Sequence, residues 1–368
     1  MQEEIQIILV IVIFIPIIYW VKMKLSRVEK MLFDEGDRAN EISILLPMRN
    51  EKKNVIRKLK SIIEEITGFE NTKLYIFDSC SDDGTGELAR EFLKSSKLPK
   101  SRWEVISLEI PGKSFAINRA LEIINSDVVI MSDADALVSP GWMNNALEAL
   151  SDEDIGVVSG IEYEANRNSE DFNTYYRRNS NFLRVMESKI DSTTVLEGSL
   201  IAWKTSALGD FQLNENMNAD DAQIGLRAIR RGYRSIIDER IRFSGFDEES
   251  RSFSDSVRRS QGLSKALILN ADLIFTSKRK KARGVILNSL FLYVLFPWSI
   301  ALFTVNSITG FFQDSSISLS WSFVSVSLIA IILISGHGRM LSKGVIISII
   351  AHCQIVLGKS YKSWNPRR

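Results

Sequence analysis

VVIMSDADALVSPGWM, residues 128–143, is the stretch whose reading decides the fold. Four apolar residues, 128–131, give way abruptly to SDADA at 132–136. A short β-rich apolar run bounded by turn-forming residues reads as a buried strand. Carboxylates placed directly after such a strand are costly unless they face a site or a partner. Asp133 and Asp135 are two apart, which on an extended chain sets them on the same side. Two carboxylates held that close repel each other unless a cation lies between them. Oxygen ligands suit Mg2+ or Mn2+, ions that also take phosphate oxygens. The plainer alternative is a capped loop leading to a helix after Pro140.

Upstream, the same alternation repeats. ISILL (42–46), LYIF (74–77) and WEVIS (103–107) read as strands. Residues 50–66 read as a helix with Val55, Leu59, Ile62, Ile63 and Ile66 on one face, and helices follow at 84–94, 113–124 and 141–150. This β-α-β-α order predicts an α/β fold with a mostly parallel sheet and helices on both faces. Ligands of such sheets bind beyond the carboxyl ends of the strands. The polar residues after each strand are therefore the candidates. Pro47 is expected to stop the first ladder, with Arg49, Asn50 and Glu51 following it. The second strand runs into DSCSDDGT, 78–85, where turn chemistry accounts for most positions but less readily for Asp78. Asp220 and Asp221 are adjacent, so each disfavours ionisation of the other. An N-cap at Asp220 and a first-turn acid for a helix at 221–231 is the alternative reading, and it is compatible with catalysis by Asp221.

Composition narrows the chemistry. The 368 residues carry a net charge of +1, which gives no global bias toward nucleic acid. Cys80 and Cys353 have no CxxC spacing, which argues against a disulfide framework or zinc site. His337 and His352 both lie in the C-terminal apolar part, so a histidine base in the polar middle of the chain is excluded. No G-x-G-x-x-G follows the first strand, which disfavours a nicotinamide dehydrogenase.

Residues 5–21 form an apolar run long enough to cross about 30 Å of hydrocarbon as a helix. Glu3 and Glu4 precede it, while Lys22, Lys24, Arg27 and Lys30 follow, which predicts a retained anchor with the basic side cytoplasmic. Further apolar blocks lie at 285–312 and 317–335, and SKRKKAR (277–283) precedes them. That basic run either sets topology or also touches anionic headgroups. Residues 344–358 are short for a span and read as an interfacial or re-entrant helix. The expected organisation is an anchor at 1–30, a cytoplasmic catalytic domain at 31–276 and a membrane region at 277–368, in the cell membrane.

ISILLPMRNE, YIFDSCSDDGT, PGKSFAINRAL, VVIMSDADALVSPGWM and NADDAQIGLRAIRRGYRS occur in that order. Together they resemble family 2 glycosyltransferases of GT-A fold, with a Rossmann-like mixed, mostly parallel sheet. The flanking apolar segments resemble the membrane-bound branch, which includes ceramide glucosyltransferase-like enzymes and polysaccharide synthases. The resemblance spans about residues 41–270. It implies that Pro47, Arg49, Glu51 and Asp78 line the nucleotide pocket, with Lys113 near the donor. It implies that Asp133 contacts the sugar or ribose, that Asp135 binds Mg2+ or Mn2+ on the diphosphate, and that Asp221 is the general base. Gly198, in VLEGSLIAWK, would lie near the acceptor, and Asp220 would belong to the same region; an ordinary strand-edge turn is an equal reading of the glycine.

Two departures stand out. Ser79 replaces a second acid after the second strand. The QxxRW motif of polysaccharide synthases is matched by DSVRRSQG, 255–262, with Arg258 on the arginine and Arg259 replacing the tryptophan. These two arginines are candidates for diphosphate or acceptor binding, or else for the membrane surface. Losing the tryptophan argues against long-chain synthesis. The expected activity is inverting transfer from a UDP- or GDP-sugar to a membrane lipid or lipid-linked glycan. A processive β-glycan synthase and a catalytically inactive membrane scaffold are the rivals.

Overall fold

The computed structural model describes residues 2–26, 31, 33, 41–163, 172–245, 252–313 and 321–359. It divides into two compact units. One comprises residues 28–250, 272–285 and 361–368, and the other 1–27, 251–271 and 286–360.

The first unit is built on an eight-stranded sheet among the described residues. Its strands are β1 (Ile42–Met48), β2 (Thr72–Asp78), β3 (Trp103–Ser107), β4 (Val128–Ser132), β5 (Ala136–Val138), β6 (Ile155–Glu162), β7 (Leu200–Lys204) and β8 (Arg234–Gly245). Their order across the sheet is β3-β2-β1-β4-β7-β6-β8-β5. The β1–β2, β2–β3, β1–β4 and β6–β8 pairs are parallel, and β7 and β5 run antiparallel to their neighbours. The four strands read from the sequence are thus the parallel half, and their carboxyl ends share one edge. In that edge's register Met48 lies beside Asp78, and Asp78 beside Ser107.

Burial explains why these segments are strands. Every residue of β1 and β4 is buried. Ile44, Leu46 and Met48 face one core with Leu59 and Ile62 of helix Val55–Ile66, while Leu45 faces the other core with Phe77, Ile117 and Trp203. A strand covered on both faces reads as a continuous apolar run rather than an alternating one.

Three expectations are corrected locally. Pro47 does not end the first ladder, because β1 continues to Met48 and pairs with β2 to its end. Pairing with β4 stops at Leu45, so the missing proline N–H falls where one neighbour remains. Asp133 and Asp135 do not lie on an extended chain. Ala134 and Asp135 form a turn, because Ala136 must start β5 and pair with β8. Asp220 is the first residue of helix Asp220–Arg230 rather than its cap, which is Ala219.

The second unit is helical among its described residues. It contains helix Gln2–Leu25, helix Phe253–Leu269 and the apolar C-terminal helices. Among the described residues three segments are long and apolar enough to cross a membrane, by length and composition: Glu4–Leu25, Lys280–Phe312 and Gly338–Val356. The stretch expected as a short helix at 344–358 belongs to the 21-residue helix Gly336–Val356. The expected block at 317–335 contains helix Trp321–Ile334, and 317–320 lie outside the described residues. Polar side chains inside this unit satisfy one another. Gln6 donates to Ser307 and Ser325, and Trp298 donates to His352, whose other ring nitrogen meets Ser264.

Arg279 of the basic run is committed to the sheet unit. It binds Asp191 at 2.9 Å, the Gly232 carbonyl at 3.2 Å and Asp154 at 3.5 Å. Its charge is thereby held by protein groups.

Leu46 is fully buried in the core it shares with helix Val55–Ile66. Leu46→Ala is expected to cost about 2–5 kcal/mol. A clear fall in thermal midpoint, followed by intrinsic fluorescence in detergent, checks this; an unchanged midpoint contradicts the packing.

Candidate active site

Four chain segments meet at the carboxyl edge of the parallel strands. The loop after β1 and the loop after β2 are laced together. The Asn50 N–H donates to the Ser81 hydroxyl, the Asp82 N–H to the Asn50 side chain, and the Glu51 N–H to the Thr85 hydroxyl. Asn50 and Cys80 take positive φ, 55° and 57°, to make the tight approach. Pro47 is buried at the end of β1, and Arg49 and Glu51 are half-buried at its lip. Glu51 also accepts from Asn54 at 2.8 Å.

Asp78, at the end of β2, keeps 6% of its surface. It accepts from the Ser81 N–H at 3.2 Å. A Cβ at Gly86, in the first turn of helix Thr85–Ser95, would lie 2.3 Å from the Asp78 Oδ2, so any larger residue there would displace the carboxylate.

Ser79, the residue in place of a second acid, is fully buried. Its hydroxyl accepts from the Gly112 N–H at 2.8 Å, which ties the PGK loop to β2 just before Lys113. Lys113 opens helix Lys113–Ile123. Its ammonium lies 2.7 Å from Asp133 and 2.9 Å from Asp220. These three side chains keep 16–27% of their surfaces, so they line a narrow cleft rather than a sealed core. Gly198 forms the adjoining wall: a Cβ there would stand 3.4 Å from the Lys113 ammonium and within 4 Å of both carboxylates.

The electrostatics follow from this crowding. Burial favours the neutral lysine, but Asp133 and Asp220 outweigh it and hold Lys113 well above the usual lysine range. Burial raises Asp133, and the charges of Asp135 and Asp220 add to it against Lys113. Asp221, one residue on, is pushed up to about 7 by burial and then by the charge of Asp220. A hydrogen bond from the Ala222 N–H and the charge of Lys113 oppose this, while Glu197 adds to it. Glu197 is itself held by Arg184 at 2.5 Å.

Beneath the Asp133–Asp135 turn lies a residue that sequence reasoning passed over. Lys58 is 1% exposed, and its ammonium donates to the Ser132 hydroxyl at 2.7 Å and the Ala136 carbonyl at 2.5 Å. Burial lowers it to about 8, with Asp133 and Asp135 working against the shift. Its position, between Val55 and Leu59 on the apolar face of the helix, was the available signal. Arg184 carried no such signal, since its partner lies across a turn of chain that periodicity does not join.

Among the described residues, no three His, Cys, Asp or Glu side chains are gathered to hold a metal by themselves. Mg2+ and Mn2+ commonly use one or two carboxylates and take further oxygens from substrate phosphates. Asp133 and Asp135 on one turn fit that donor set, with Lys113 already neutralising Asp133.

The structure thus brings together Lys113, Asp133, Gly198 and Asp220, with Asp135 and Asp221 adjacent in the chain, and sets Pro47, Arg49, Glu51 and Asp78 along the same sheet edge. Arg258 and Arg259 lie on helix Phe253–Leu269, within the unit of apolar helices, and Arg258 faces Asp255 at 3.7 Å.

Comparison with known proteins agrees with this architecture. The 4,4'-diaponeurosporenoate glycosyltransferase of Staphylococcus haemolyticus is 31% identical over 116 residues, which is 32% of this chain and 29% of that protein. The glycosyltransferase AglE of Haloferax volcanii is 24% identical over 119 residues, 32% of this chain and 38% of that protein. The chain therefore matches well under half the length of these curated relatives. Among solved structures, the mannosyltransferase PcManGT of Pyrobaculum calidifontis, in complex with GDP-Man and Mn2+, shares the fold with a TM-score of 0.82. It is 22% identical, and the match covers 98% of this chain and 100% of that one. S. aureus TarS 1–349, in complex with UDP-GlcNAc, has a TM-score of 0.53 and 15% identity, covering 87% of this chain and 92% of that one. The model of glycosyl transferase family 2 matches residues 43–216, which include β1 from its second residue, the loops after β1 and β2, Lys113, the Asp133–Asp135 turn and Gly198. Residues 43–216 are thus similar to family 2 glycosyltransferase domains.

Proposed function

We propose that the chain moves a sugar, with inversion, from a nucleoside-diphosphate sugar to a membrane lipid or lipid-linked glycan. The observation that carries this reading is Lys113 between Asp133 and Asp220. It gathers the donor turn and the start of the helix bearing Asp221 around one cleft. The mannosyltransferase of similar fold holds GDP-Man and Mn2+, and the TarS structure holds UDP-GlcNAc, so a GDP- or UDP-sugar is the donor class. The three apolar helices and the relative named for 4,4'-diaponeurosporenoate favour a membrane-bound acceptor.

Asp78 and the β1 loop, with Pro47, Arg49 and Glu51, would hold the nucleoside end at the sheet edge. Lys113 would face the diphosphate, whose negative charge grows as the glycosidic bond to it breaks. Asp135 would hold a Mg2+ or Mn2+ ion, which supplies further neutralisation of that charge. Asp133 would orient the sugar. The acceptor hydroxyl attacks the anomeric carbon from the opposite face, and its proton passes to a carboxylate oxygen of Asp221. With Asp221 raised to about 7, it is half ionised near neutrality and can both take and release that proton. Gly198 leaves the space beside Lys113 into which an acceptor hydroxyl can enter.

The test is nucleoside diphosphate release by the full chain in detergent with Mn2+, using GDP- and UDP-sugars and a lipid extract. Lipid-stimulated release is expected, and Asp221→Asn is expected to lower it by about 10²–10⁴-fold. Because the base must be ionised, kcat/KM should fall as pH drops through about 7. An acid limb near the ordinary carboxylate value of 3.8 would take the role from Asp221, and release untouched by lipid would take the acceptor away.

A further inference from the structure

The Asp133–Asp135 turn must hold two carboxylates in one pitch although Ala134 and Asp135 belong to no strand. A side-chain clasp under the turn does this. Lys58 reaches from helix Val55–Ile66 to both ends of it, the Ser132 hydroxyl before Asp133 and the Ala136 carbonyl after Asp135. The clasp continues across the sheet: the Ser132 hydroxyl donates to the Ser199 carbonyl at 2.8 Å, and the Asp133 N–H meets the same carbonyl at 3.2 Å. Ser199 follows Gly198, where a Cβ would stand 3.4 Å from the Lys113 ammonium. One buried ammonium thus links the donor turn, β4 and the segment leading into β7.

A lysine is an expensive way to fill this position. It is among the largest fully buried side chains, in a core where Val55, Leu59 and Ile62 of the same helix are aliphatic. A methionine would fill a similar volume without burying a cation. Among the described residues, the Lys58 ammonium donates to the segments bracketing Asp133 and Asp135.

We propose that Lys58 is the positioning residue of the Asp133–Asp135 turn, holding the two carboxylates at the spacing that a divalent cation and a diphosphate need. The inference rests on the functional reading above. It assigns Lys58 no contact with substrate. It acts through Ser132 and the Ala136 carbonyl, as outer-shell partners do in orienting ligands.

The test is Mn2+ affinity of the full chain in detergent, measured from the electron paramagnetic resonance signal of free Mn2+ with GDP or UDP present. Lys58→Met is expected to weaken Mn2+ binding by about 10-fold or more, the usual loss on removing an outer-shell partner. Thermal midpoint and near-ultraviolet circular dichroism are read in parallel, because a purely structural lysine would lower the midpoint and leave Mn2+ affinity unchanged. Ser132→Ala breaks the same clasp without touching a charge, and it is expected to weaken Mn2+ binding in the same direction; it decides the matter should Lys58→Met not fold. Wild-type Mn2+ affinity in folded Lys58→Met, or in Ser132→Ala if that alone folds, overturns the role of Lys58 by itself. Wild-type protein that takes up no Mn2+ with either nucleotide overturns the functional reading and this inference with it.

Discussion

The contact on which the site depends is the Lys113 ammonium, held 2.7 Å from Asp133 and 2.9 Å from Asp220. Without a cation between them, two carboxylates in a narrow cleft would repel, and the turn after β4 and the start of helix Asp220–Arg230 would be driven apart. With it, segments from distant parts of the chain share one cleft. The lysine is in turn fixed by a chain of neutral hydrogen bonds. Ser79 holds Gly112, Gly112 precedes Lys113, and Ser79 itself is held by its N–H to the Met48 carbonyl at the end of β1. The serine that replaces an acid thus serves the architecture of the cleft.

This arrangement gives the carboxylates different surroundings. Asp133 and Asp220 share a cation, while Asp221 lies beside them and feels burial and the charge of Asp220 most strongly. The result is a carboxylate raised to about 7, close enough to feel the positive charge of Lys113. Such a site is costly to the fold. The folded protein keeps the Asp221 proton up to about 7, whereas an ordinary carboxyl loses it near 3.8, so this group takes stability away as pH rises between those values. Buried aliphatic cores on both faces of the sheet offset that cost.

Much of this was legible in the sequence, and the reason is local. ISILL, LYIF, WEVIS and VVIM are strands because each is apolar and bounded by turn formers, and the structure places them within β1 to β4. The polar residues after them reach one edge because parallel strands align their carboxyl ends. What was not legible depends on pairing at a distance. Pro47 is tolerated in β1 because β4 stops pairing two residues earlier, which the sequence does not say. The Asp133–Asp135 turn exists because β5 pairs with β8, more than a hundred residues away in the chain. Asp220 lies one residue inside the helix, and its carboxylate meets Lys113, another long-range partner. Lys58 lay in plain view on an apolar helix face, yet its meaning comes from Ser132 and Ala136.

The central claim is that this cleft receives a diphosphate between Lys113 and Asp135. A structure of the full chain with Mn2+ and GDP or UDP tests it most directly. The account predicts the diphosphate against the Lys113 ammonium, Mn2+ on Asp135, and the nucleoside along β1 and Asp78. A nucleotide bound elsewhere, with Lys113 still closed between Asp133 and Asp220, would contradict it.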